Sequence, residues 1–236
     1  MLRFFGVGCL LFLLSLPVFS YDRVTPLRAR KYSAFRAHSI LPENFRYVIH
    51  KNGKHLFAGL EAALDVPQKD VTVERVMLEN RKITQLVNKQ APFGQVARQM
   101  GFVSGLVAVL VDPSETGPKH VNEGFDFYLD KKLDRFHFVF DGYPGPTVTE
   151  DWLSTQLQDV VKTRTQYRDI LTKGYRQVNG NSRYLFDERH PVFGVCSIYF
   201  SNVARLSAHL WYHAWAAADG DLTRTPLLRE NLSRLK

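Results

Sequence analysis

The chain has 236 residues, a formal net charge of +8 at pH 7 and only two cysteines. This length allows one domain with a sizeable core, and the excess of basic residues favours anionic partners such as phospholipid headgroups, polyphosphates or nucleic acid. The basic residues are scattered and form no block of like charge, so a soluble and mildly basic surface is the simpler explanation. The sequence contains no specific nucleic-acid-binding motif.

The N-terminal segment predicts a secretory signal peptide at residues 1–20. Arg3 precedes an uncharged apolar run at 4–16, and small residues up to Ser20 fit cleavage after that position. The alternative is a membrane anchor, but this run is shorter than the ~20 residues that a spanning helix needs. We therefore expect an exported protein, periplasmic or secreted, with no integral membrane span after cleavage.

Cleavage would also remove Cys9 and leave Cys196 as the only cysteine of the mature chain. An intramolecular disulfide would then be excluded. We expect Cys196 to be buried as a small hydrophobic residue, and the alternative is an intermolecular pair.

Apolar residues recur at helical spacing along residues 21–236, which predicts a single all-α domain of about eight helices. The first half is predicted to form helices at 29–40, 43–50, 55–64 and 71–88 and a central helix within 94–113. The second half is predicted to form helices at 125–133, 149–179 and 193–219 and a terminal helix from 225. Residues 114–123 are predicted as a polar loop and 135–140 as an extended or helical connection.

The central helix is apolar or small at every position from Met100 to Val111. Such a helix is typical of the middle of a domain, with other helices around it. It contains Gly101 and Gly105, although glycine costs roughly 1 kcal/mol relative to alanine in a helix interior. We therefore expect a neighbouring backbone to approach closely at these glycines.

Short landmarks between residues 29 and 220 follow one another in a recognisable order. The most specific is the run Leu210-Trp211-Tyr212-x-Ala214-Trp215. The others are Ala34-x-x-Ala37 before Leu41-Pro42, Leu56-x-x-Gly59 before Asp65, Asp112-Pro113, Phe193-Gly194-Val195 and Asp219-Gly220. This order resembles the zinc-dependent phospholipase C and S1/P1 nuclease superfamily of exported, all-helical phosphodiesterases. The resemblance implies the multi-helix fold of that superfamily.

The resemblance also implies a zinc cluster, held by histidines and aspartates from several helices, that polarises a phosphate and activates a water. In this sequence Arg30 stands where the superfamily has a histidine on the first helix. Gly105 and Val109 stand where it has a histidine and an aspartate on the central helix. The histidine expected after the proline falls near Glu115. Asp65 alone matches a ligand position of the superfamily, and it lies about one residue out of register. Arginine cannot be a zinc ligand because it has no acceptor atom. Since most of the ligand positions are replaced, no cofactor is expected.

The leading hypothesis is therefore a non-catalytic member of this fold, a pseudoenzyme with a binding or structural role in the cell envelope. Arg30, Glu115 and Asp141 are its candidate binding residues around the former metal site. Arg30 could take the place of a cation there and hold an anionic ligand or a phospholipid headgroup.

Two other functions stay open from the sequence. One is a metal-dependent phosphodiester or phospholipid hydrolase with a rearranged zinc site, whose candidate catalytic residues are Asp65, Asp126, Asp130 and His137. The other is a basic protein that is unrelated to this superfamily and works at the membrane surface.

The pair His209-x3-His213 is a weaker candidate for metal binding. Its spacing puts both side chains on one face of a helix, as in zinc proteases. A third ligand and a catalytic glutamate do not accompany it in the sequence, so packed or surface histidines explain the pair more simply.

Overall fold

The computed structural model of the chain describes residues 24–115, 117–144, 148–176 and 186–227. Within these residues it contains eight α-helices and no β-strand, which confirms the predicted all-α class. The helices are α1 (Val24–Ser39), α2 (Glu43–Lys51), α3 (Gly53–Ala62), α4 (Val73–Asn88), α5 (Phe93–Leu110), α6 (Lys119–Lys132), α7 (Glu150–Arg176) and α8 (Pro191–Ala216). The predicted signal peptide and most of the predicted terminal helix lie outside the described residues.

Polar caps and prolines fix the helix boundaries. The Thr72 hydroxyl accepts a hydrogen bond from the Arg75 N–H at 3.2 Å and caps α4. Thr149 caps α7 in the same way, as its sequence position predicts, through the Trp152 N–H at 3.2 Å. Pro191 is the first residue of α8, where its missing N–H is harmless.

Helix α6 begins earlier than predicted. It starts at Lys119, directly after Pro118, so the prediction of a polar loop throughout 114–123 is wrong for its last five residues. The first turn carries exposed polar side chains and buries only Val121. This turn therefore lacks the apolar periodicity from which a helix is recognised.

Helix α5 is the core helix of the fold. Every residue from Val103 to Leu110 is buried, and the helix packs against α1, α3, α4 and α8. The indole N–H of Trp211 donates to the Met100 carbonyl at 3.0 Å, which ties α8 to α5. By length and composition α5 could cross a membrane, but 67% of it is buried inside the fold, as in the core helix of a soluble domain.

The closest helix contact is the crossing of α3 and α5, which we call the α3–α5 crossing. A Cβ placed on Gly101 would overlap the carbonyl oxygen of Leu56, and one placed on Gly105 would overlap the Cβ of Ala63. Gly59 on α3 approaches the α5 backbone equally closely. The predicted backbone approach is confirmed, and the space beside Gly105 is filled by Ala63, directly after α3.

An extended segment at 136–140 runs along α8 and links α6 to the second half of the chain. The N–H of Val139 donates to the Ser201 hydroxyl at 3.3 Å, and this hydroxyl donates to the His137 carbonyl at 3.0 Å. A side chain of α8 thus satisfies two backbone groups that a second strand would otherwise bind.

Candidate functional site

Four charged side chains interact near the C-terminal end of α5. Arg30 lies on α1, Asp112 and Glu115 follow α5, and Asp126 lies on α6; we call these residues the Arg30 cluster. Arg30 and Asp112 are only 8% and 5% exposed. The four residues come together because α1 packs against both α5 and α6. Buried charges are unfavourable unless they are compensated, so the cluster is the most unusual polar feature among the described residues.

Asp112 closes the turn that ends α5. Its Oδ1 accepts hydrogen bonds from the backbone N–H of Ser114 at 2.8 Å and from the Ser114 hydroxyl at 2.7 Å. Burial raises the pKa of Asp112 to about 6, and the nearby Glu115 carboxylate adds to this rise. The two Ser114 hydrogen bonds and the Arg30 charge act in the opposite direction because they stabilise the carboxylate.

The pKa of Asp126 is raised further above its usual value than that of Asp112. Burial, followed by the charge of Asp112, raises the pKa of Asp126 to about 8, and Arg30 opposes the rise. Two carboxyl groups that repel each other in a poorly solvated site titrate as a coupled pair. The pair therefore retains about one proton at neutral pH, and Asp126 is the carboxyl that favours it.

Arg30 contributes the only positive charge of the cluster, and its guanidinium is permanently ionised. Its Nη1 atom is buried and has no hydrogen-bond partner among the described residues. The guanidinium nevertheless lowers the pKa of both Asp112 and Asp126. Arg30 therefore stabilises the two carboxylates through the electric field of a poorly solvated site, where charges interact more strongly than in water.

Helix α8 adds Cys196 and Tyr199 to the surroundings of the cluster. Cys196 is a free and fully buried cysteine, as expected from the sequence. Burial raises the pKa of its thiol well above the usual value, and the charges of Asp112 and Asp126 raise it further. Burial also raises the pKa of the Tyr199 hydroxyl well above its usual value. This hydroxyl donates a hydrogen bond to the Ala108 carbonyl at 3.3 Å. Both groups stay protonated at neutral pH, so neither is an activated nucleophile.

Of the four candidate catalytic residues, only Asp126 lies in the Arg30 cluster. Asp65 is exposed at the end of a short 3-10 helix, and Asp130 forms an ion pair with Arg28 at 3.1 Å. His137 is exposed on the extended segment beside α8. Within the described part of the chain, no group of three or more His, Cys, Asp or Glu side chains is placed to hold a metal ion together.

The pair His209 and His213 lies among aromatic side chains of α8 and its neighbours. His209 is fully buried, with its ring centroid 5.0 Å from that of Trp152 and 5.2 Å from that of Phe140. Burial lowers the pKa of His213, and Glu150 opposes this effect. The surroundings of His209 agree with the simpler explanation of this motif, a packed histidine.

Two of the three candidate binding residues lie in the Arg30 cluster, and the third lies outside it. Arg30 and Glu115 both lie in the cluster, whereas Asp141 is exposed at the end of the extended segment. Asp112 and Tyr199 were not expected as site residues. The pair Asp112-Pro113 was recognised as the end of α5 and as a landmark of the resemblance but not as part of a site, and no pattern around Tyr199 distinguishes it from a core residue.

The residues of the cluster do not fit a zinc centre. A buried guanidinium supplies no lone pair and repels a divalent cation, and the raised pKa of Asp126 opposes the carboxylate form that a zinc ligand needs. The arrangement instead resembles an internal ion cluster, in which one fixed cation lies near three carboxyl groups and Asp126 favours its protonated form. No model of a known protein family matches the chain, and no curated protein sequence matches it.

Proposed function

We propose that the chain is an exported, non-catalytic protein of the zinc phospholipase C and S1/P1 nuclease-like fold, with a binding or structural role in the cell envelope. In this proposal the Arg30 cluster takes the place of the zinc cluster. The observation that carries it is the buried Arg30 guanidinium beside Asp112 and Asp126, at the helix position where the resemblance expects a metal ligand. The order of the sequence landmarks and the all-α fold support the same conclusion.

The physical argument compares two ways of compensating buried carboxylates. A zinc cluster links several helices by binding their carboxylate and imidazole groups directly. A guanidinium on α1 can neutralise carboxylates on α6 and at the end of α5 without any exchangeable ion. The fold then keeps its helix arrangement but loses the Lewis acid that would polarise a phosphate.

The α3–α5 crossing supports this proposal independently of the cluster. The resemblance expects a histidine at Gly105, but Ala63, directly after α3, occupies the volume of any side chain there. Val109, where an aspartate is expected, is 6% exposed and belongs to the hydrophobic core. A histidine could be placed at Gly105 only if the chain at Ala63 moved.

A second candidate is a phosphodiester hydrolase that uses the two carboxyl groups of the cluster. The raised pKa values of Asp112 and Asp126 favour it, because a carboxyl that titrates near neutral pH can act as a general acid or base. This candidate lacks an activated nucleophile, since burial holds both Cys196 and Tyr199 in their protonated forms. It is therefore the weaker of the two.

Elemental analysis of the full protein, purified without chelator, tests the proposal. We expect less than about 0.1 zinc per chain, since a structural zinc site would be filled at the nanomolar or lower dissociation constants typical of such sites. Dialysis against excess zinc, followed by gel filtration, should leave the value unchanged. Two or three zinc ions per chain would overturn the proposal, and release of nitrophenol from bis(4-nitrophenyl) phosphate that is lost in Asp126→Asn would favour the hydrolase.

A further inference from the structure

The corner between α2 and α3 carries an unusual distribution of charge. Residues 44–60 contain Arg46, Lys51 and Lys54 and two histidines but no acidic residue. The two helices are separated only by Asn52, so the three basic residues lie close to one bend of the chain. Every charged side chain of this stretch is therefore basic.

The side chains of this corner divide into an inner and an outer face. Phe45, Ile49, Leu56 and Leu60 are buried and fix both helices to the core. The outer side chains are partly or fully exposed, and we call them the corner face: Arg46, Tyr47, His50, Lys51 and Lys54. The corner face is therefore held rigidly by the core and is available to a partner.

The positive charge of Lys51 and Lys54 is not neutralised by an ion pair. The flanking acidic residues are already paired with other cations: Glu43 with Arg224 at 2.9 Å and Glu61 with Lys31 at 3.0 Å. None of the ion pairs among the described residues involves Lys51 or Lys54. These two lysines are free to interact with an anionic surface.

Exposed aromatic rings accompany the positive charge. Tyr47 is 63% exposed, and the Lys51 ammonium lies 5.4 Å from its ring centroid. Phe35 on α1 is 56% exposed and lies next to His38, with ring centroids 6.4 Å apart. The His38 ring lies 6.3 Å from that of His50 and connects Phe35 to the corner face. Aromatic rings beside lysine and arginine are typical of protein surfaces at the membrane–water interface.

We propose that the corner face and Phe35 bind the surface of a lipid bilayer that contains anionic phospholipid. Arg46, Lys51 and Lys54 contact lipid phosphates, and the rings of Tyr47 and Phe35 enter the headgroup region. A nucleic acid would also be attracted by the charge, but a predicted exported protein meets lipid headgroups as its more abundant anionic surface. This inference names a partner for the proposed binding role and uses no residue of the Arg30 cluster.

Co-sedimentation of the full protein with lipid vesicles tests this proposal. We expect binding to vesicles of phosphatidylcholine with phosphatidylglycerol, little binding to phosphatidylcholine alone, and weaker binding as salt is raised above about 0.1 M. Each lysine near an anionic membrane surface contributes to the binding free energy. Because two such contributions are lost, the double variant Lys51→Gln/Lys54→Gln should bind the vesicles about 30-fold more weakly. Tyr47→Ser should weaken binding further, and the thermal unfolding of each variant shows whether it is folded.

The matched control is the variant Lys69→Gln/Lys173→Gln, which removes two exposed lysines outside the corner face. Its binding should change less than about twofold if the corner is the contact surface. Equal losses in the two double variants, or equal binding to both kinds of vesicle, would overturn the proposal. Binding to a labelled single-stranded DNA without binding to vesicles would also overturn it. Zinc in the purified protein would contradict only the proposed function, so the two failures are distinguishable.

Discussion

Helix α5 meets its surroundings in two different ways. Along the α3–α5 crossing the contact is apolar, and glycines bring the two backbones together. Just beyond its C-terminal end, Asp112 belongs to the Arg30 cluster, where charged groups from α1 and α6 come together at buried and half-buried positions. The same helix therefore connects a region determined by shape with a region determined by charge.

The difference shows what each region can contribute to the protein. The contacts of Gly59, Gly101 and Gly105 in the α3–α5 crossing involve no ionisable side chain, so their contribution to stability should be nearly independent of pH. The Arg30 cluster contains a fixed cation and two carboxyl groups with raised pKa values, so its contribution should change with pH. The crossing fixes the fold, and the cluster is the part whose charge depends on pH.

The largest expected effect comes from disturbing the apolar region. Gly101→Ala places a Cβ against the carbonyl oxygen of Leu56, which is backbone and cannot rotate away. Overpacking of this kind costs about 3 kcal/mol, and we expect the free energy of unfolding in urea to fall by that amount. The fall should be the same at about pH 5 and at about pH 8, because no ionisable group takes part.

Gly194→Ala is the matched control for this prediction. Gly194 is also a glycine inside a helix, but no atom lies within 4 Å of the position of its Cβ. Alanine favours helix by roughly 1 kcal/mol over glycine, so this variant should be equally or more stable than the parent. If Gly101→Ala were as stable as Gly194→Ala, the close approach of α3 and α5 would be wrong.

The next effect comes from removing the cation of the charged region. Arg30→Leu leaves Asp112 and Asp126 without their compensating charge, so we expect the protein to lose about 2 kcal/mol of stability at about pH 8. At about pH 5 both carboxyl groups are largely protonated and the loss should be much smaller. Chemical unfolding at the two pH values measures the difference.

The double variant Arg30→Leu/Asp126→Asn separates charge from shape in this experiment. It removes one carboxylate together with the cation, so part of the stability lost at about pH 8 should return. A loss that is equal at both pH values and is not recovered in the double variant would mean that Arg30 acts only through its packed methylene groups.

The apolar region could be predicted from the sequence because its signal is local. The run from Met100 to Val111, with Gly101 and Gly105 inside it, indicates a surrounded helix and a close neighbour without any knowledge of the partner. Caps such as Thr149 are local in the same sense. The start of α6 was missed because its exposed first turn has no apolar period.

The charged region could be predicted only in part because its members are far apart in the chain. The resemblance drew attention to Arg30 and Glu115, and Asp126 was a weak catalytic candidate. That Arg30, Asp112 and Asp126 interact depends on how α1 packs against α5 and α6, which no local pattern encodes. Burial determines the protonation of the two aspartates, and burial follows only from the tertiary structure.

The smallest expected effect concerns the protonation of the Asp126 carboxyl group. It tests whether the stability contribution of the charged region depends on pH. The folded-state pKa of Asp126 is about 8, well above the value of about 3.9 in an unfolded chain. A raised carboxyl pKa stabilises the fold fully below the unfolded value, and this contribution is lost as pH rises through the folded value. The free energy of unfolding should therefore fall between about pH 4 and about pH 8, by about 1 to 2 kcal/mol after solvent screening is allowed for.

Asp126→Asn has no carboxyl group to ionise at this position and should flatten the fall, leaving the part due to Asp112 between about pH 4 and pH 6. The matched variant Asp130→Asn lies one turn away on α6 and removes the ion pair with Arg28, so it should lower stability slightly and keep the slope. Urea unfolding at several pH values distinguishes the two variants. An unchanged slope in Asp126→Asn would show that Asp126 is ionised throughout this range, and the Arg30 cluster would then be a fixed set of charges like any other ion pair of the fold.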